Sequence, residues 1–597
     1  MINIKHIRNF SIIAHINHGK STLADRFIAL SKNSNVFKVT DQILDSMEIE
    51  RERGITIKSQ CVTLDYHYQN ILYKLNLIDT PGHTDFSYEV IKSLTACEGV
   101  ILLIDITKGI QAQTIANYNK AKNNNLKIII ALNKIDLELK KKQNIKTEIQ
   151  SILKINSKDI IEISAKKNIG IDNLIHQIIT TIPPPIKPSN NKLECLIIDA
   201  WFNDYTGITC LVKIQNGIIK INTKIIISST KKVFKIKQLG IFTPKKLYKN
   251  ILTTGEIGFI QFGSKNIKDV NVGDMINLET DKITTGFTIQ KTQPKIYANI
   301  YPITANDFHN LKTSISKLIL NDSSINITPQ NSNIFGLGFK CGFLGLLHLE
   351  ITKERLEREY DSEIIITPPS ISFKLITKNN ITININNPSD MDKITNIKEI
   401  QEQIALTTII IPNKYYGKIN ELCIESRGKQ ITINHINDQI ILKYEIPFNE
   451  IIFNFFNKLQ TLSNGFASLD YEITGYKKSD LNKLSILLND KKIDALEFII
   501  HKTKIYYEAS KLINKIKKVI PRQLFEIKLQ AAVGKKIISK ATIKALKKNV
   551  LSKCYGGDIT RKKKLLEKQK AGKKKMKKIG NIEIPSNAFI KIMNIDK

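Results

Sequence analysis

Hydrophobic and polar positions change rhythm several times along this chain. In the first third, short unbroken apolar runs alternate with stretches of helical spacing. Phe10-Ser-Ile-Ile13, Leu75-Asn-Leu-Ile-Asp79 and Ile128-Ile-Ile-Ala-Leu132 read as buried strands, and Leu23-Ala-Asp-Arg-Phe-Ile-Ala-Leu30 as a helix. Strands of this kind separated by helices predict a mostly parallel sheet over residues 1–185. Ile182-Pro-Pro-Pro-Ile186, with Pro188, predicts a stiff linker, since consecutive prolines hold the chain extended. Over 190–282, short strand-like runs are punctuated by Gly207, Asn216-Gly217, Gly255, Gly258 and Gly273-Asp274, the pattern of a closed β-barrel. Residues 291–369 and 371–478 read as two mixed α/β units, with helices expected over 304–320, 344–360 and 448–463. A last unit covers 479–597. The fold class is multidomain, α/β and β.

Ala14-His-Ile-Asn-His-Gly-Lys-Ser21 sits between the first strand and the first helix, where a phosphate-binding loop belongs. Backbone N–H groups at Asn17, His18 and Gly19, with Thr22 in the helix start, are expected to face phosphate. Lys20 would reach the β- and γ-phosphates and the Ser21 hydroxyl would ligate Mg²⁺. Ala14 replaces the first glycine of the usual pattern, so this loop alone is an imperfect match. Three further segments follow in order, at the C-terminal ends of apolar strands where open α/β sheets bind ligands. Asp79, before Thr80-Pro-Gly-His83, is a second carboxylate for the Mg²⁺ shell, and the Gly82 N–H is placed to bond the γ-phosphate. Asn133-Lys134-Ile135-Asp136 offers a carboxylate to the N1–H and N2–H₂ groups that guanine has and adenine lacks. Ser164-Ala165-Lys166 closes over the base. Together these predict a GTPase with GTP as substrate and Mg²⁺ as cofactor.

The same residues carry a family resemblance. Asp79-Thr-Pro-Gly-His83 with Arg51-Glu-Arg-Gly-Ile-Thr-Ile57 resembles the translational GTPases, which include elongation factors Tu and G. The resemblance implies that Thr56 closes over Mg²⁺ and the γ-phosphate as part of a switch loop within 31–57. It also implies that His83 positions the attacking water, as the catalytic residue. Phe335-Gly-Leu-Gly-Phe-Lys-Cys-Gly-Phe-Leu-Gly-Leu-Leu-His348 and Lys553-Cys-Tyr-Gly-Gly-Asp-Ile-Thr-Arg-Lys-Lys-Lys564 resemble the LepA branch alone. By that resemblance the chain has a P-loop GTPase domain, a β-barrel, two split β-α-β (ferredoxin-like) domains and a basic C-terminal domain peculiar to the branch. Within 335–348 the glycines are expected to serve strand ends and close packing, and His348 a structural role. The implied activity is ribosome-dependent GTP hydrolysis that promotes back-translocation of tRNAs and fidelity under stress. The alternative is a GTP-gated RNA-binding factor assisting small-subunit assembly, with hydrolysis only for release. The family usually has Asp where this chain has Asn17, which leaves a site for a monovalent cation such as K⁺ altered but not abolished.

Composition narrows the partners. A 42% hydrophobic and 24% charged chain is globular, and no apolar run approaches the roughly 18 residues that span a bilayer. The odd count of seven Cys, without a C-x-x-C pair, suits a reducing compartment. Met1 to Lys5 leads straight into the first strand, so no signal peptide is expected. The net charge is +35, part of which an A/T-biased genome rich in Lys, Asn and Ile codons would produce without any partner. The run from Lys535 to Lys578 is different: 18 Lys or Arg face only Asp558 and Glu567. It predicts contact with RNA phosphates through Arg561, Lys562, Lys563 and Lys564, with Tyr555 stacking and Gly556 allowing close approach. The expected partners are the ribosome, rRNA and tRNA, met as a monomer in the cytoplasm. An anionic membrane surface, such as the cytoplasmic face of a bacterial inner membrane, is the competing partner for the same lysines.

Overall fold

The computed structural model describes residues 3–31, 43–45, 47–137, 142–186, 192–203, 206–264, 266, 269–281, 293–332, 335–394, 396–546 and 559–579. The side chains of 142, 320, 561 and 572–579 fall outside that description. Tyr555 and Gly556 also lie outside it.

The first unit is built from β1 (Ile7–Ala14), α1 (Lys20–Leu30), α2 (Glu48–Arg53), β2 (Gln60–Tyr68), β3 (Ile71–Asp79), α3 (Ser87–Thr95), β4 (Gly99–Asp105), α4 (Ala112–Asn123), β5 (Lys127–Asn133), α5 (Lys142–Leu153), β6 (Ile160–Glu162) and α6 (Ile171–Thr181). Its six strands run β2-β3-β1-β4-β5-β6, parallel except for the β2–β3 hairpin. Every residue of β1 and of β4 is buried, the polar Arg8, Asn9, Ser11 and Asp105 among them. The order reverses at β1, so the loops after β1, β3 and β5 open on one edge, where the phosphate and base motifs lie.

Residues 194–278 form an eight-stranded antiparallel ladder and a two-stranded one, Ile218–Lys220 with Ile251–Thr253. Most of these strands close on one core that joins Ile197, Val212, Ile219, Ile225, Ile241, Leu252 and Ile260, as a barrel does, while strand Lys245–Lys249 stays largely exposed. Among the described residues the ladder's two ends are not hydrogen-bonded to each other. Buried ion pairs dock this unit on the first: Lys74–Glu256 at 2.8 Å, Lys58–Asp199 at 3.1 Å and Lys92–Asp199 at 3.3 Å.

Two units share the split β-α-β plan. In the third, strands 326–332, 336–343, 296–302 and 364–366 lie side by side in that order, with helices Phe308–Asn321 and Leu346–Arg358 on the same core. The fourth repeats the order with strands 429–436, 439–447, 397–412 and 468–478, and a hairpin of 373–377 and 382–385 extends its sheet. Ser370–Ile371 pairs with Tyr297 and Ile296, so the chain just past Pro369 still belongs to the third sheet.

The terminal unit is a four-stranded antiparallel sheet, ordered 491–501, 481–488, 527–533, 536–543, with helix Ile505–Val519 packed on it. The long positive run is therefore divided. Lys536 and Lys540 sit in the last strand, whereas Arg561, Lys562, Lys563 and Lys564 belong to a separate 21-residue helix, Ile559–Ile579. No helix among the described residues is long and apolar enough to cross a membrane.

Candidate active site

The turn from β1 into α1 needs two backbone conformations that ordinary side chains avoid. Asn17 has φ +64° and Gly19 φ +93°, and a Cβ on Gly19 would fall 2.5 Å from Asn133 Nδ2. Asn133 in turn donates to the His18 carbonyl at 2.9 Å and accepts from the Ala165 N–H at 3.0 Å. Lys134 donates to the Asn17 carbonyl at 2.9 Å and pairs with Asp105 at 2.6 Å. Asn133 and Lys134 thus brace the loop between β1 and α1. The His18 ring is fully buried against β4, accepting from the Asp105 N–H at 3.2 Å, and burial pushes its pKa down to about 3. Only the backbone of His18 is therefore available to a nucleotide. Ser21 and Thr22 occupy the first turn of α1, half-buried and exposed respectively.

Lys20 points across the sheet edge. Its Nζ lies 2.6 Å from Asp79 Oδ2 and donates to Thr56 Oγ1 at 2.8 Å, which brings three predicted residues from three segments together. Burial pushes the Asp79 carboxyl above its ordinary range, with the Lys20 ammonium working against that shift. The second oxygen, Asp79 Oδ1, is buried without a hydrogen-bond partner. A hard oxygen aimed at this point, with the Ser21 and Thr56 hydroxyls on neighbouring segments, fits Mg²⁺, which prefers oxygen ligands and keeps several waters.

Thr56 is delivered there by Glu50, which the sequence reading did not single out. The buried Glu50 carboxylate accepts from the N–H groups of Met47 at 3.0 Å, Ile57 at 2.9 Å and Lys58 at 3.0 Å, folding the chain back after α2. Thr56 also donates to Asp45 at 3.1 Å. The only sequence signal was an acidic residue between Ile49 and the Gly54-Ile-Thr-Ile57 run.

His83 follows β3 and is partly exposed, its Nδ1 accepting from the Asp85 N–H at 3.0 Å. The Gly82 carbonyl accepts from Gln113 of α4. Asp85 continues into the third unit, where its Oδ2 accepts from the Leu347 N–H at 3.0 Å. A Cβ at Gly345 would collide with that carboxylate at 2.1 Å, so the predicted close-packing role of this glycine has a specific partner. α2 contacts the same helix through Arg53–Glu354 at 2.6 Å and Glu52–Arg358 at 2.8 Å. His348 is structural: it pairs with Asp322 at 2.8 Å and accepts from the Leu344 N–H.

At the base end, Ser164 Oγ donates to Asp136 at 2.7 Å, and this bond holds the Asp136 carboxyl below its ordinary range. The Ile135 N–H reaches the Ile163 carbonyl at 3.3 Å. Arg26 of α1, another residue missed in the sequence, donates to the carbonyls of Ala165 at 2.8 Å and Lys166 at 3.0 Å. The structure so gathers 17–22, 56, 79–83, 133–136 and 164–166 along one edge. The candidate RNA residues are elsewhere, with Lys563 and Lys564 exposed and Lys562 half-buried on the terminal helix.

Three family models match, each over a different part of the chain. Residues 5–184 match the elongation factor Tu GTP binding domain, 399–487 the elongation factor G C-terminus, and 488–594 the GTP-binding protein LepA C-terminus. The chain belongs to the LepA type of translational GTPase. It is a GTP hydrolase of a family that works with the ribosome. A crystal structure of a protein from Thermus thermophilus superimposes with a TM-score of 0.57 at 12% identity, covering 79% of this chain and 97% of that one. At that identity the likeness is one of fold.

Proposed function

We propose that this LepA-type GTPase hydrolyses GTP on the ribosome to move tRNAs back by one codon, supporting fidelity under stress. The convergence of Lys20, Thr56 and Asp79 at one buried point beside the His83 loop carries this reading. Lys20 would exchange its carboxylate partner for the β- and γ-phosphate oxygens, and the backbone at Gly19 and Gly82 would bond the same groups. Ser21, Thr56 and Asp79 would hold Mg²⁺, which would supply neutralisation of the charge on the transferring phosphoryl group. Asp136 and Ser164 select guanine, because a carboxylate left unpaired by adenine costs affinity. His83, released from the Asp85 N–H, would orient water in line with the γ-phosphate, a positioning role that suits the small chemical demand of phosphoryl transfer. Asn17 can still offer an amide oxygen to K⁺ beside the phosphates. The terminal helix meets RNA backbone, and the protein acts as a monomer in the cytoplasm.

The test is GTP hydrolysis with and without ribosomes, combined with mapping of tRNA position. His83→Ala is expected to keep GTP affinity and to lose ribosome-stimulated hydrolysis by roughly a hundredfold, the scale of a lost positioning or acid–base group. Equal losses of affinity and rate would count against His83. In the second reading, assistance to small-subunit assembly, bound GTP sets RNA affinity and hydrolysis only releases the protein. RNA remodelling that proceeds fully with a non-hydrolysable GTP analogue favours that reading.

A further inference from the structure

Gln113 stands where three parts of the nucleotide site meet. It lies in the first turn of α4 and is 5% exposed. Its Nε2 donates to the Gly82 carbonyl and its Oε1 faces Nδ1 of His15 in the phosphate loop, both at close range. A carbonyl can only accept, so the amide nitrogen must face Gly82 and the amide oxygen must face His15. His15 therefore carries its proton on Nδ1. Burial pushes the His15 pKa down to about 4, which makes the ring a neutral donor at neutral pH. The turn that carries Gln113 is itself pinned from the fourth unit, where Ser468 Oγ accepts from the Ala112 N–H at 2.8 Å.

The Gly82 carbonyl belongs to the peptide unit whose nitrogen is that of His83. Holding this oxygen fixes the plane of that peptide and so the direction in which the His83 Cα leaves the turn. Glycine at 82 makes such restraint necessary, because nothing in its own side chain limits rotation there. Ala14 O lies 3.4 Å from where a Cβ on Gly82 would be, so the turn also runs close against the phosphate loop.

We infer that Gln113 is a positioning residue for His83, coupling the orientation of the Gly82–His83 peptide to the phosphate loop through His15. This rests on the assignment of water positioning to His83. Without the Gln113 donor the peptide samples other orientations, and a displacement near 1 Å at a reacting group is enough to cost orders of magnitude in rate.

Glutamate and glutamine are nearly isosteric, which separates this role from simple packing. Gln113→Glu keeps the acceptor for His15 and loses the donor to Gly82, placing a carboxylate against a carbonyl oxygen. Ribosome-stimulated GTP turnover is expected to fall at least tenfold in Gln113→Glu and in Gln113→Ala, with KM for GTP within about threefold of the parent. The double variant His15→Ala/Gln113→Ala should be less impaired than the product of the two single losses, since both remove one connection. Parent-like kcat in Gln113→Glu overturns the inference, as does a rise in KM that accounts for the whole loss. His83→Ala is run alongside: normal hydrolysis there defeats the His83 assignment itself, whereas a crippled His83→Ala with a healthy Gln113→Glu defeats only the role of Gln113.

Discussion

Lys20 Nζ and Asp79 Oδ2 are 2.6 Å apart, with the lysine 9% exposed and the carboxylate fully buried. The pair joins the first helical turn after β1 to the end of β3, a strand adjacent to β1 in the sheet, and the two residues are 59 apart in the chain. Taking both charges out of water costs several kcal/mol each, which their attraction and the Thr56 hydrogen bond offset. Lys20→Ala leaves the carboxylate buried without its cation. The expected outcome is a GTPase domain destabilised by about 3 kcal/mol, in addition to lost GTP binding. Thermal unfolding checks this, and removing both charges in Lys20→Ala/Asp79→Ala should recover much of the loss. A single variant as stable as the parent would sink the point.

Glu148 gives the fold a pH dependence of a definite sign. Burial pushes its carboxyl up to about 7, and Oε1 has no hydrogen-bond partner. A folded-state pKa above the unfolded value near 4.5 means that ionisation opposes folding. The cost begins above pH 4.5, grows until pH 7 and is constant beyond, reaching at most about 3 kcal/mol. Glu148→Gln should therefore stabilise the protein at pH 8 and change nothing at pH 4. Urea midpoints at the two pH values are the measurement; an equal shift at both contradicts it.

Asn17 is exposed, and Lys134 already holds its carbonyl, so a change of side chain here leaves the loop backbone anchored. Asn17→Asp restores a negative charge beside the phosphates. GTP hydrolysis titrated with KCl against NaCl at constant ionic strength should show a changed potassium requirement. Identical salt profiles for both proteins remove K⁺ from the site.

The terminal helix can be tested without disturbing the sheet before it. Deletion from Lys535 would remove strand 536–543, which pairs along its length with 527–533, so a truncation should start at Ile559. Lys562→Gln, Lys563→Gln and Lys564→Gln together should weaken RNA binding and lower the slope of log affinity against log salt by about 2–3, near one per lost phosphate contact. Binding to anionic vesicles is measured in parallel. A loss seen on vesicles alone would assign the helix to a lipid surface.

Much of this protein could be read directly from its residues, because the relevant physics is local. A strand segment buried on both faces is mostly apolar, so Phe10-Ser-Ile-Ile13 and Ile128-Ile-Ile-Ala-Leu132 marked β1 and β5. A loop that wraps phosphate needs a positive φ at Gly19, a lysine and a hydroxyl at fixed spacing, and the four nucleotide motifs were visible for that reason. The helices of the third unit followed from their 3.6-residue period, whereas in the fourth Tyr416–Glu425 was not expected and the helix expected over 448–463 is interrupted by a π segment at Ile451–Phe455. What tertiary structure alone decided is how side chains distant in sequence complete the site. Glu50 folds the switch segment by collecting three N–H groups, Arg26 holds the base loop, and Gln113 joins Gly82 to His15. Each is an ordinary polar residue in an amphipathic or loop segment, with nothing in its neighbours to distinguish it from a solvated one. The division of the basic run between a sheet strand and a separate helix was hidden likewise, since lysine is compatible with both and only the pairing of 536–543 with 527–533 separates them. Local patterning sets which backbone conformations are available, whereas hydrogen-bond partners are set by which surfaces the fold brings within 3 Å.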